Sequence, residues 1–302
     1  PGTVIYDPKG HAAIVYKVTA GGRVYFIDSH PDNSLTHGAY GSKFSQASRP
    51  NSAPGFKNWR PVVGTGAGTR PLPNREIPDF DVEQWFGNVP PTGRKKRFVL
   101  EGNDVSFHDF VRFRLSGGAV RYRPVEELRT RLRDLCTDID YRRLAVEDAL
   151  ARGIHRKPQP ARLPENIYGT HGEWEVYSTP SRDARLKTSF KELHDEVSRF
   201  LSLHDRRDTR IEFEGADLRA ALAEVYQGES RRCVIEYTNG AGVPVKLNLE
   251  NVSARLFRLS FDPYHCVERR WGASEAEELR YCRDGPLKRS WYEAQQALRN
   301  QI

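Results

Sequence analysis

The stretch from His11 to Asp28 constrains the fold most. His11 to Val18 and Arg23 to Asp28 are rich in β-branched and aromatic residues, and Thr19-Ala20-Gly21-Gly22 lies between them. Two such runs about a glycine-bearing turn predict an antiparallel hairpin. Thr3 to Tyr6 adds a brief extended run closed by Asp7-Pro8-Lys9-Gly10, with Pro and Gly at favourable turn positions. Residues 29 to 56 are polar and turn-rich. Residues 64 to 79 hold three Gly and three Pro without apolar periodicity, which predicts a linker or a long surface loop. The expectation is a small antiparallel-sheet region over residues 1–65, then a linker and connecting strands over 66–122.

A different texture begins at Pro124. Val125, Leu128, Leu132 and Leu135 follow it at helical spacing, with the proline in the first turn. Residues 153 to 164 are basic and proline-rich and interrupt the pattern. Leu186, Phe190, Leu193, Val197, Phe200 and Leu201 mark a long amphipathic helix, and Leu218, Leu222 and Val225 a shorter one. Arg232 to Thr238 and Val245 to Leu249 flank Asn239-Gly240-Ala241-Gly242 as a second hairpin, Arg255 to Phe261 reads as a further strand, and the tail from Ser274 is helical. Residues 123–302 therefore form an α+β domain of unassigned role, and the whole chain is α+β.

Composition excludes several classes. With 302 residues, 38% hydrophobic and 29% charged, the chain can build a sizeable core and is neither fibrous nor disordered. No run approaches the roughly 20 apolar residues of a membrane-spanning helix. The net charge of +7 favours anionic surroundings, but the basic residues are dispersed and nucleic acid is not an expected partner. No Walker-type loop or GxGxxG fingerprint is present, and no cofactor is expected. Arg94-Lys95-Lys96-Arg97 reads as a solvated charge cluster ahead of a strand. The chain contains no Met, so the expectation is that it begins downstream of its initiator and that targeting signals cannot be read from it.

Chemistry concentrates on the first hairpin. If the turn sets Val18 opposite Arg23, paired positions sum to 41, Ala13 faces Asp28, and His11 faces His30. Asp28 is then the diagonal neighbour of His11, about 7–8 Å away between backbones and within side-chain reach. A slip of one residue would destroy this arrangement. Small residues at Ala12 and Ala13 leave room beside the imidazole. A histidine oriented by a carboxylate can serve as the base that activates a thiol or hydroxyl.

The run Pro1-Gly2-Thr3-Val4-Ile5-Tyr6, then Gly10-His11-Ala12-Ala13-Ile14-Val15-Tyr16-Lys17-Val18, then Gly22-Arg23-Val24-Tyr25-Phe26-Ile27-Asp28-Ser29-His30 resembles the CHAP and NlpC/P60 families of papain-like cysteine peptidases and amidases. The resemblance covers roughly residues 1–35. It implies that His11 is the catalytic base, with Asp28 its orienter and His30 a substitute orienter. It also implies an amide substrate in peptidoglycan or a peptide and an extracytoplasmic site of action. In these families a nucleophilic Cys on a helix precedes the histidine strand, and here no Cys precedes His11. Three accounts stay open: a Cys-bearing helix upstream of Pro1, a permuted arrangement using Cys136, or a degenerate domain that only binds.

Cys136, Cys233, Cys266 and Cys282 are the only cysteines, and their spacings match no zinc ribbon. Cys266 and Cys282 are close enough to form a bridge. Cys136 and Cys233 read as buried thiols. Asp28, His30, Asp32 and His37 could ligate a metal ion, but the intervening Pro31 and Asn33 favour a polar loop, and no metal is expected. Gly55-Phe56-Lys57-Asn58-Trp59-Arg60-Pro61 serves either as the wall of a substrate groove or as packing.

Overall fold

A computed structural model describes residues 1–6, 11–29, 35–41, 44, 55–58, 60–73, 76–77, 82–93, 95–118, 120–162, 164, 167 and 172–301. The chain is mixed α+β, with helices and several small antiparallel sheets, and it divides into the units Pro1–Tyr122 and Arg123–Ile302.

Unit 1 is built on a five-stranded sheet. Its strands are β1 (Val4–Tyr6), β2 (Ala12–Val18), β3 (Val24–Ser29), β4 (Leu35–Ala39) and β5 (Gly55–Lys57), in the order β4-β3-β2-β1-β5. Alternation along the strands sends Ile5, Ala13, Val15, Phe26 and Phe56 to one buried face. The helix α2 (Phe107–Ser116) supplies Val111 to the same core. Ser106 caps α2 by accepting the N–H of Asp109 at 3.1 Å, and Gly117 ends it in the left-handed region at φ 79°.

The first hairpin turns with Val18 opposite Val24, one residue beyond the expected pairing with Arg23. A bulge at Tyr16 then removes the offset: Lys17 faces Tyr25, whereas Val15 faces Phe26. Tyr16 and Lys17 are consecutive exposed residues because of it, and Val18 packs against the core. Two displacements of one residue cancel, so Ala13 faces Asp28 as the simple register requires.

The segment expected to be a linker contains regular structure. β6 (Val62–Thr65) and β7 (Gly68–Pro71) form a hairpin, and α1 (Glu83–Phe86) follows. The glycines that suggested a loop serve this turn, where Gly68 has φ 147°. β8 (Val89–Thr92), β9 (Lys95–Leu100) and β10 (Asn103–Val105) make a small sheet with β9 in the middle. Gln84 of α1 acts as a substitute strand: its Oε1 accepts the N–H of Phe56 at 2.7 Å and its Nε2 donates to the Phe56 carbonyl at 3.1 Å. This satisfies the outer edge of β5, whose peptide groups would otherwise be buried unpaired.

Unit 2 is organised around α3 (Pro124–Ala151). One face of α3 buries Leu128, Leu132, Leu135, Ile139, Val146 and Ala149, and α5 (Pro180–Asp205) and α6 (Leu218–Arg232) pack against this helix. The short α4 (Gly172–Tyr177) precedes α5. Arg142 is fully buried and grips Asp183 through two hydrogen bonds of 2.6 and 3.2 Å, while also donating to the carbonyls of Ser260 and Arg270. β11 (Val234–Thr238) and β12 (Pro244–Asn248) form the second hairpin, followed by α7 (Leu249–Arg255), α8 (Val267–Arg270), α9 (Pro286–Ala294) and α10 (Gln296–Gln301).

Two readings of this region need correction. Residues 256–261 form no strand: the end of α7 runs into coil whose Ser260 N–H donates to the Arg269 carbonyl at 3.1 Å. Burial of Leu259 and Phe261 explains why the segment is apolar. Cys136 and Cys233 are joined in a disulfide across 97 residues with Cα atoms 5.6 Å apart, so they are not separate buried thiols. Cys266 and Cys282 form the second disulfide, with Cα atoms 5.4 Å apart.

Candidate functional site

His11 stands immediately before β2, and Asp28 lies near the end of β3. Asp28 pairs with Ala13 on one side and with Thr36 of β4 on the other. His11 Nε2 lies 2.7 Å from Asp28 Oδ2. The other carboxylate oxygen, Oδ1, accepts a hydrogen bond from the Thr36 hydroxyl. The Asp28 side chain is 8% exposed and that of His11 38%. A buried carboxylate, held from both sides, therefore orients an imidazole that reaches solvent. With Nε2 on the carboxylate, Nδ1 is the other ring nitrogen.

Thr36 escapes a reading of the sequence alone because residues 29 to 56 look like turns. The available signal is the alternation Thr36–Gly38, which sets Thr36 against Asp28 and Gly38 against Phe26. A Cβ on Gly38 would come within 2.6 Å of the Phe26 ring, so glycine is what lets β4 lie against β3 at this point.

His30 lies outside the described residues, as do Asp32 and Trp59. The metal grouping loses its convergence among the residues that are described. His37 pairs with Ile27 and so sits on the sheet face opposite Asp28, where its ring meets Tyr16 edge-on at 5.7 Å. Phe56 belongs to the core, and Lys57 Nζ lies over the Trp85 ring at 5.8 Å. Arg97, from the basic run, makes a two-pronged bond to Asp104.

No cysteine of this chain is a free thiol: all four are in disulfides. Cys136 is thereby removed as the nucleophile of a permuted site. Unit 2 contains a second histidine cluster that resembles a nucleophile–base pair, with Ser260 Oγ 2.7 Å from His265 Nδ1. Ser260, Asp262 and His265 are all fully buried. The His265 Nε2 N–H donates to the Lys288 carbonyl at 3.0 Å, and Asp262 accepts from the Gln159 and Gln295 amides, both at 2.8 Å. Burial lowers the His265 pKa to about 4, so the ring is neutral. These bonds knit coil to helix and admit no substrate.

Among the described residues, one group of potential metal ligands comes close together: Cys266, Cys282 and Asp284. Its two sulfurs are already bonded to one another. No helix among the described residues is long and apolar enough to cross a membrane. Compared with known proteins, the chain matches no family model, no curated protein and no solved structure.

Proposed function

We propose that unit 1 carries a papain-like hydrolytic site that acts on amide bonds of peptidoglycan or a peptide, with His11 as general base and acid and Asp28 as its orienting residue. The observation that carries the reading is the His11–Asp28 bond, built on a buried carboxylate that Thr36 also engages. His11 takes the proton of the attacking group through Nδ1 and returns it to the leaving amine, while Asp28 holds the ring and offsets its positive charge. The two disulfides suit an oxidising, extracytoplasmic compartment.

The same disulfides favour a second reading. Because none of the four sulfurs can attack while bonded, the sheet could serve instead as a degenerate module that holds its ligand without cleaving it. The decisive experiment assays the protein as encoded by its gene, using muropeptides and mass spectrometry of the products. Under the catalytic reading, amide cleavage is blocked by iodoacetamide, abolished in His11→Ala and reduced about 100-fold or more in Asp28→Asn. The 302-residue chain with its disulfides intact is expected to be inactive on its own. Absence of cleavage by the gene product, with muropeptide binding retained in calorimetry, establishes the binding module.

A further inference from the structure

Unit 2 contains a cavity of 1070 Å³ between the C-terminal half of α3, the tip of the β11–β12 hairpin and the segment around the second disulfide. Its wall includes polar atoms that the fold leaves unsatisfied. Glu268 is 1% exposed; Oε1 accepts the Gly240 N–H at 2.7 Å, but Oε2 has no hydrogen-bond partner among the described residues. Asp284 is 5% exposed; Oδ1 accepts the Cys266 N–H at 3.0 Å, whereas Oδ2 has only an ion-pair approach of 3.5 Å from Arg269. His155 Nδ1 is likewise buried and without a partner among the described residues. All three residues line the cavity. A buried acceptor left unpaired is costly, and a donor entering the cavity would relieve that cost.

The lining also carries cations: Lys157 is paired with Glu173, and Lys288 donates to the His155 and Tyr264 carbonyls, while the one other lining carboxylate, Glu147, is paired with Arg143. Arg156 and Arg283 are exposed lining residues with no ion pair among the described residues. A simple anion would meet the two carboxylates, and a simple cation would meet the two guanidinium groups. A ligand carrying both charges satisfies both. A metal ion is disfavoured because the Cys266–Cys282 bond withholds two of the three potential ligands.

We propose that this cavity binds a free amino acid or a whole dipeptide, its ammonium on Glu268 and Asp284 and its carboxylate toward Arg156 and Arg283. The volume accommodates such a ligand with room for bridging water. The site belongs to unit 2 alone and stands whether or not His11 is catalytic.

Titration calorimetry on the whole chain, disulfides intact, tests it with three probes: L-alanyl-L-alanine, its N-acetyl derivative and its C-terminal amide. The free dipeptide should bind saturably, and acetylation should weaken it about tenfold or more, the loss of a charge-assisted bond. The exposed double variant Arg156→Ala/Arg283→Ala should weaken the dipeptide but leave binding of the amide unchanged. Glu268→Gln, which keeps an acceptor for Gly240, should narrow the gap between the dipeptide and its acetylated form. The inference is overturned if none of the probes binds saturably at millimolar concentration. Equal binding of the acetylated form, or equal weakening of dipeptide and amide by the double variant, overturns it as well.

Discussion

Asp284 and His265 show how single buried groups in unit 2 respond to pH. Burial raises the Asp284 carboxyl to about 6, so the folded chain holds that proton after the unfolded chain has released it. Between about pH 4 and 6 the folded state binds the extra proton, and stability falls as pH rises, by about 3 kcal/mol over the window. His265 acts in the opposite sense: with its folded pKa near 4, the unfolded state binds more protons up to pH 6.5, and stability rises with pH. The two slopes oppose each other, so the wild-type profile understates both. Asp284→Asn removes one slope, and urea titrations of wild type and variant should diverge from pH 4 to 6, the variant becoming relatively more stable as pH rises. Parallel profiles would show that Asp284 titrates like an exposed carboxyl. At Arg142, whose charge is enclosed with Asp183, Arg142→Met should cost about 3–5 kcal/mol, because it strands the buried carboxylate. Changing Asp183 to Leu in the same chain should recover much of that loss, read as the denaturation midpoint.

At the scale of elements, Gln84 tests whether a side chain can stand in for a strand. Gln84→Leu leaves the N–H and carbonyl of Phe56 without their partners at a buried edge and should destabilise unit 1 by about 2 kcal/mol or more. Hydrogen exchange should localise the loss to β5 and β1; a change spread evenly across the unit would contradict the edge role. The elements also differ in how far their sequences specify them. Leu128, Leu132 and Leu135 are enough to specify the start of α3, because one apolar face at helical spacing has one economical solution. β4 is specified elsewhere: Leu35-Thr36-His37-Gly38-Ala39 becomes a strand through Asp28 and Phe26 on β3, and its own residues resemble a turn. Leu256 to Phe261 is the reverse case, where a segment that buries Leu256, Leu259 and Phe261 takes coil form because its backbone bonds elsewhere. For the candidate site, alternation on the hairpin places His11 near Asp28, whereas Thr36, which completes the carboxylate's bonding, depends on a long-range pairing. The bulge at Tyr16 is invisible locally, and the register at Asp28 survives because the turn is displaced by a compensating residue.

Across the whole molecule, both disulfides lie in unit 2, and unit 1 contains none. Closing the 97-residue separation between Cys136 and Cys233 is worth about 4–5 kcal/mol in the chain-entropy model. Dithiothreitol should therefore lower exchange protection in α3 and α6 while the amides of β1, β2 and β3 keep theirs; loss in both units alike would contradict this division. The order of the cysteines along the chain has a consequence for biogenesis. Four cysteines can pair in three ways, and here the first is joined to the second and the third to the fourth, with neither loop enclosing the other. A chain threaded N-terminus first into an oxidising space presents Cys136 and then Cys233 before Cys266 arrives to compete. In such a case, pairing in order of appearance would give the native bonds with no mismatched pair to reshuffle.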